Sequence, residues 1–208
     1  MSRTFIITGT DTDVGKTIFS AGLVAALGGY YWKPVQAGIT DGSDAQTVAR
    51  LSGLPPSHIL PEAYRLTTPC SPHRAAVIDG VVIDPARLAL PVVSGPLIVE
   101  GAGGALVPLS PDLLHADLFA GWQKPVIIVA RTALGTINHS LMTIEALLAR
   151  NITIHGIAFM GDVHQDSEAI ITHIGGIRRL GRLPHLPQLN AETLGAAFSA
   201  NFDLADFT

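Results

Sequence analysis

The chain has 208 residues, 17 acidic and 13 basic, with a net charge of -4 and 48% apolar composition; this is enough for one domain with a sizeable core, and no basic block is present that could track nucleic acid. A single cysteine, Cys70, excludes an intramolecular disulfide, and no CxxC or Cys/His spacing suggests zinc, which fits a reducing cytoplasm. The most apolar region, residues 88–111, is broken by Pro91, Pro96, Pro108, four glycines and Glu100, so no membrane span is expected, and Phe5-Ile6-Ile7 is too short for the core of a signal peptide.

In chain order, short apolar runs stand at 4–9 (TFIITG), 30–35 (YYWKPV), 96–101 (PLIVEG), 125–130 (PVIIVA), 152–161 (ITIHGIAFMG) and 178–184 (RRLGRLP). Their apolarity is continuous rather than alternating, which implies cover on both faces and predicts buried parallel strands. Helical patterns lie between them at 17–27, 44–54, 115–122, 138–150, 166–174 and 191–198, with a weaker one at 85–92. The alternation predicts an α/β fold: a doubly wound, mostly parallel sheet in a P-loop NTPase-like three-layer α/β/α arrangement, one domain over residues 1–208. In such sheets the chemistry sits beyond the carboxyl ends of the strands. Residues 54–72, rich in proline and serine, are expected to form one long irregular segment, functional or mobile.

The first strand runs into GTDTDVGKT, residues 9–17. Backbone N–H groups of such a turn wrap an anion, Gly15 allows close approach, Lys16 supplies a compact positive charge, and Thr17 opens a helix with a hydroxyl suited to Mg²⁺. The usual phosphate-loop spacing places its first glycine where this chain has Thr10; here the glycine is one residue earlier, at Gly9. The chain has ten arginines but only Lys16, Lys33 and Lys124 as lysines. A retained lysine asks for a reason, and an ammonium fits among phosphate oxygens where a planar guanidinium does not. Lys33 ends the second strand and should face the same cleft, whereas Lys124 opens a strand at the opposite edge and reads as surface.

Glu100 ends the third apolar run before GAGG, which places an acid at the carboxyl edge beside a flexible glycine loop, as for a Mg²⁺ ligand. Asp44 is ambiguous, because Ser43 or Asp44 could cap the helix that follows. Among the histidines only His73 and His139 fall on candidate loops, and no HExxH occurs. Ser71 lies near His73 without a nucleophile elbow, so neither a hydrolase triad nor Cys70 as nucleophile is favoured.

Taken together and in order, GTDTDVGKT, KPVQAG, SDA, VEGAGG, LGTINH and LGRLP resemble the dethiobiotin synthetase family across nearly the whole chain. The resemblance implies an ATP- and Mg²⁺-dependent cyclo-ligase of biotin biosynthesis. 7,8-Diaminononanoate would capture CO₂ (from bicarbonate) as a carbamate, ATP would phosphorylate it, and the second amine would close the ureido ring, giving dethiobiotin, ADP and phosphate. It implies that Asp13, Val14, Gly15, Lys16, Thr17 and Ile18, with Glu100, Gly101, Ala102 and Gly103, surround the nucleotide's phosphates. Adenosine would lie against Gly161, Asp162, Pro184, His185 and Leu186. Mg²⁺ would be held by Thr17, Asp44 and Glu100, while Thr12, Lys16 and Lys33 would face the carbamate and the transferred phosphoryl group. Ala37 and Pro72 would line the substrate side, and the substrate's carboxylate would be held by Thr136, Ile137 and Asn138 of a partner subunit in a cytoplasmic homodimer with shared sites.

Three features depart from the family's pattern: the first helix and its following loop are shorter than is usual, so Lys33 arrives early, and two positions differ. Ala37 stands where serine or threonine commonly contacts substrate, and Gly161 stands where an asparagine is expected to read the base. Without that side chain only an apolar slot remains, which discriminates by about 1–3 kcal/mol, so a weak preference for ATP over CTP, GTP and UTP is expected. Two other readings share the fold. Amidotransferase-type ligases need a further domain with a nucleophilic cysteine, for which this chain has no room. Nucleotide-switch ATPases of chromosome or cell-division partitioning carry a lysine where Asp11 stands, and often a basic membrane-targeting helix; neither feature is present.

Overall fold

The computed structural model describes residues 3–40 and 42–208. The chain runs β1 (Thr4–Gly9), α1 (Lys16–Leu27), β2 (Tyr30–Trp32), β3 (Val35–Ala37), α2 (Asp44–Ser52), β4 (Tyr64–Leu66), α3 (Pro72–Ile78), β5 (Leu97–Gly104), β6 (Pro108–Ser110), β7 (Leu113–Leu114), α4 (His115–Trp122), β8 (Val126–Arg131), α5 (Thr136–Leu148), β9 (Ile154–Met160), α6 (Gln165–Gly175), β10 (Arg179–Leu183) and α7 (Ala191–Asn201). Six strands form one sheet in the order β10-β9-β8-β1-β5-β2, all pairs parallel.

The continuous apolarity of the strands is used on both faces. Phe5, Ile7, Ile98, Ile127, Val129 and Ala158 point to one side, where Phe19, Leu23 and Val24 of α1, Val48 and Leu51 of α2, and Leu194 and Phe198 of α7 cover them. Their neighbours Ile6, Leu97, Val99, Val126, Ile128, Ile157 and Phe159 point the other way, onto Phe119 of α4, Ile144 and Leu147 of α5, and Ile171 of α6. The result is a doubly wound α/β/α sandwich with β1 at the switch point, its carboxyl end opening between β5 and β8. A third cluster, including Val35, Tyr64, Leu66, Ala75 and Leu109, walls one side of that opening.

Four expectations are corrected. The run YYWKPV is not one strand: Pro34 has no N–H to donate, β2 stops at Trp32, and Val35–Ala37 pairs in parallel with β4 in a separate two-stranded sheet. The weak helix at 85–92 is a single 3₁₀ turn over Pro85–Leu88, capped by Asp84, with Pro91 standing against continuation. Residues 54–72 are not structureless, since they contain a 3₁₀ turn at Pro56–His58 and β4, and lead into the unforeseen α3. GAGG is not a flexible loop: β5 continues through Gly104, which pairs with Gly9. Among the described residues no helix is long and apolar enough to cross a membrane.

Candidate active site

At the end of β1 the backbone turns through Asp13 (φ 55°) and Gly15 (φ 94°) before α1 begins at Lys16. The second angle is one that side-chain-bearing residues avoid, and a turn of this kind lets successive N–H groups face an anion. The early glycine has a spatial reason: a Cβ on Gly9 would lie 2.7 Å from the Asp11 carbonyl oxygen and 2.9 Å from the Lys16 ammonium. Lys16 is buried and donates to the Asp11 carbonyl at 3.0 Å. Burial lowers its pKa, with Lys33 adding to that effect and Glu100 opposing it. Arg131 at the end of β8 pairs with Asp11 at 3.3 Å, tying the loop to the neighbouring strand.

Three chain segments meet beside this loop. Thr17 Oγ1 is 2.8 Å from Asp44 Oδ1 and 2.9 Å from Glu100 Oε1. Lys33 Nζ, 5% exposed as a residue, donates to Asp44 Oδ2 and, at 3.4 Å, to Glu100 Oε1. Glu100 is fully buried, and its other oxygen accepts from the Tyr31 hydroxyl at 3.1 Å. Burial opposes the Lys33 charge, yet Glu100 and Asp44 together outweigh it and raise its pKa. Burial likewise pushes Asp44 up, and the Lys33 charge and hydrogen bond, with the Thr17 hydrogen bond, bring it below the ordinary carboxylate range.

The Asp44 ambiguity resolves locally. Ser43 is the helix cap, accepting from Gln46 N–H while the Gln46 side chain accepts from Ser43 N–H. Asp44 is thereby released toward Thr17 and Lys33, and buried Gln36 anchors it by accepting its backbone N–H at 3.1 Å.

Thr17 offers one proton to two carboxylate oxygens, so three oxygens converge with fewer protons than acceptors. That is a donor set suited to a divalent cation. Among the described residues no three His, Cys, Asp or Glu side chains cluster. A cation here would therefore rely on two carboxylates, a hydroxyl and a ligand's own oxygens, as Mg²⁺ commonly does beside phosphates.

Two cavities meet over the phosphate loop and share Asp13, Gly15 and Ile18. One of about 830 Å³ is lined by Thr12, Lys16, Thr17, Lys33, Ala37, Asp44, Pro72, Glu100, Ala102 and Gly103, and also by Thr47, Pro69, Cys70, Ser71 and Val107. The other, of about 590 Å³, is lined by Val14, Gly161, Asp162, Pro184, His185 and Leu186, with Arg131, Thr132, Ala133 and Met160. Gly101 lines neither: a Cβ there would meet Phe119 of α4 at 2.9 Å, so its role is close packing. Thr136, Ile137 and Asn138 also line neither cavity; they form the first turn of α5 behind Gly135. Lys124 is exposed, as read from the sequence.

Sequence reasoning missed Tyr31, Gln36 and His115. The first two are polar interruptions of apolar runs, a signal that was available. His115 is 1% exposed; its Nδ1 lies 2.9 Å from the Val107 carbonyl oxygen and its Nε2 accepts the Ala102 N–H at 3.2 Å. A carbonyl cannot donate, so the proton is on Nδ1 and the ring is neutral. Burial lowers its pKa to about 4, against the Val107 hydrogen bond and with help from Lys33 and Lys16.

A family model described as an AAA domain matches residues 3–193. The ATP-dependent dethiobiotin synthetase BioD of Rhizorhabdus wittichii is 65% identical over 207 residues, covering 100% of this chain and 99% of its own. The same-named proteins of Novosphingobium aromaticivorans (64%, 98% of each chain) and Agrobacterium fabrum (58%, 100% and 98%) are similar to it as well. Among solved structures, the septum site-determining protein MinD complexed with Mg-ADP from Pyrococcus horikoshii superposes with a TM-score of 0.60 at 12% identity, covering 95% of this chain and 86% of its own. A ParA family ATPase from Chlorobium tepidum gives 0.55 at 12%, covering 95% and 98%. At that identity the two structures speak for the fold alone.

Proposed function

We propose a mechanism from one premise: the chain belongs to the ATP-dependent dethiobiotin synthetase family. The protein is an ATP-dependent cyclo-ligase that makes dethiobiotin in biotin biosynthesis. The observation that carries the mechanism is the meeting of Thr17, Asp44, Glu100 and Lys33 at one edge of the 830 Å³ cavity, beside the phosphate loop.

One amine of 7,8-diaminononanoate adds to CO₂, the carbamate oxygen takes the γ-phosphoryl group of ATP, and the second amine attacks the carbamate carbon and expels phosphate. Bringing a carbamate anion to a triphosphate sets like charges together, so the chain's cations carry the work. Lys16 and the backbone N–H groups of residues 13–17 hold the phosphates. Lys33 lies between the carboxylates and the cavity, where it offsets charge on the carbamate and the transferred group, and Thr12 faces the same space. Thr17, Asp44 and Glu100 would hold Mg²⁺, whose charge, when bound, offsets that of the phosphates. Adenosine occupies the 590 Å³ cavity against Gly161, Asp162 and Pro184, His185 and Leu186. The diamine extends past Ala37 and Pro72.

Its carboxylate is held by the backbone of Thr136, Ile137 and Asn138 from a second subunit, a helix start suited to an anion. Two features support this: that turn lines neither cavity of its own chain, and Leu134, Ile137 and Met142 expose apolar surface around it. The enzyme is then a homodimer, each subunit one domain, in the cytoplasm.

Incubation with ATP, Mg²⁺, bicarbonate and 7,8-diaminononanoate should yield dethiobiotin by mass, with one ADP per product. Phosphate release without dethiobiotin would overturn the reading. The shared site has its own check. Lys33→Ala and Asn138→Trp homodimers should each be poorly active, whereas a mixture should regain activity, because one of the two sites in a heterodimer has both Lys33 and an unobstructed α5. A fully active monomer in sedimentation coupled to assay would end the idea.

A further inference from the structure

Gly161 leaves an open question about the base, and its surroundings answer it. The residue has φ 121°, and a Cβ built there would lie 2.6 Å from Thr132 Oγ1 and 3.4 Å from His185 Nε2. The space that a side chain at position 161 would fill is thus already flanked by two polar atoms, from the segments that follow β8 and β10. Both residues line the 590 Å³ cavity.

The backbone around them is held from several sides. Gly161 N–H donates to the Leu183 carbonyl at 2.9 Å, its carbonyl accepts from Arg182 Nη1 at 2.9 Å, and Thr132 N–H donates to the Met160 carbonyl at 3.0 Å. Glu168 in turn pairs with Arg182 at 3.2 Å. Thr132 is 7% exposed and lines the cavity, and its hydroxyl donates to the Met160 carbonyl at 3.4 Å. While its proton stays on that carbonyl the oxygen is free to accept from an exocyclic amine, whereas it meets a keto oxygen as a donor only by turning the hydroxyl away from Met160.

We infer that Thr132, with His185, reads the nucleobase in place of a side chain at position 161, selecting an amino-bearing purine over a keto-bearing one. The inference rests on the placement of adenosine proposed above. It replaces the weak base preference expected from Gly161 alone with a preference for ATP over GTP, set by the oxygen at Thr132. A keto oxygen there faces the Thr132 lone pairs or costs the hydroxyl its bond to Met160, a mismatch of about tenfold in affinity.

Dissociation constants for MgATP and MgGTP by calorimetry, together with kcat/KM for dethiobiotin formation from each, test it. The wild type should favour ATP by about tenfold or more, Thr132→Ser should retain that ratio, and Thr132→Val should bring it toward one. His185→Ala, at an exposed position where folding is not at stake, should lower the ratio about threefold. A wild-type ratio near one, or an unchanged ratio in folded Thr132→Val, overturns the inference; if that variant does not fold, an unchanged ratio in His185→Ala overturns it. Binding is read without the diamine. ATP-over-GTP preference without dethiobiotin formation would therefore sink the reaction above and spare this inference, and equal dethiobiotin formation from both nucleotides would do the reverse.

Discussion

Lys33→Ala is expected to lower kcat by about 10²-fold or more at saturating ATP and Mg²⁺, the scale seen when one preorganised donor is removed from a transition state. Lys33 is the single cation in contact with both Asp44 and Glu100 among the described residues, and it borders the 830 Å³ cavity. Lys33→Arg should not restore the rate, because the planar guanidinium is too large for a space closed by Thr17, Asp44 and Glu100. Burial adds a second consequence that position in the sequence did not suggest. Without Lys33 the two carboxylates face each other with no counter-charge, and breaking a buried pair costs about 3–5 kcal/mol, toward the lower end here since the Asp44 side chain is 30% exposed. A domain stable by about 5–15 kcal/mol survives that loss. The variant should therefore melt below the wild type in EDTA and recover part of the difference in Mg²⁺, by binding linkage. Lys16→Ala should match the loss of rate with little loss of Tm, since Lys16 donates only to a loop carbonyl. Wild-type turnover in a folded Lys33→Ala protein would remove Lys33 from the mechanism.

Acidification from pH 7 to pH 5 is expected to remove about 2 kcal/mol of stability through His115 alone. Its folded pKa is depressed to about 4, whereas in the unfolded chain it titrates near the ordinary histidine value of 6.5. The unfolded state therefore takes up a proton first as pH falls. The contribution is present in full above 6.5, declines through the interval, and is exhausted below 4. His155, also lowered by its partial burial, acts in the same window, so the comparison with His115→Gln isolates the effect. Urea unfolding of that variant should show a shallower dependence between pH 7 and pH 5. An identical slope in both proteins would show that His115 is not held neutral. The functional link is direct: Nε2 of His115 fixes Ala102, two residues beyond Glu100 in β5.

The sequence by itself determined the features that depend on neighbours along the chain. A strand, a glycine turn and a helix opening on Lys16-Thr17 specify a phosphate loop, because N–H groups, ammonium and hydroxyl all lie within nine residues. Continuous apolar runs separated by helical patterns specified a parallel sheet covered on both faces, since no one-sided sheet could bury them. Ser43 and Asp44 were ambiguous only because a cap and a ligand look alike until one hydrogen bond is assigned. What the tertiary structure decided were the contacts between distant positions. Thr17 meets Asp44 across 27 residues and Glu100 across 83 only because β5 lies beside β1 and α1 packs against α2. The neutral ring of His115 and the oxygen of Thr132 beside Gly161 belong to the same class. Each depends on which atoms from distant segments of the chain share a buried space, and local propensity carries no information about that.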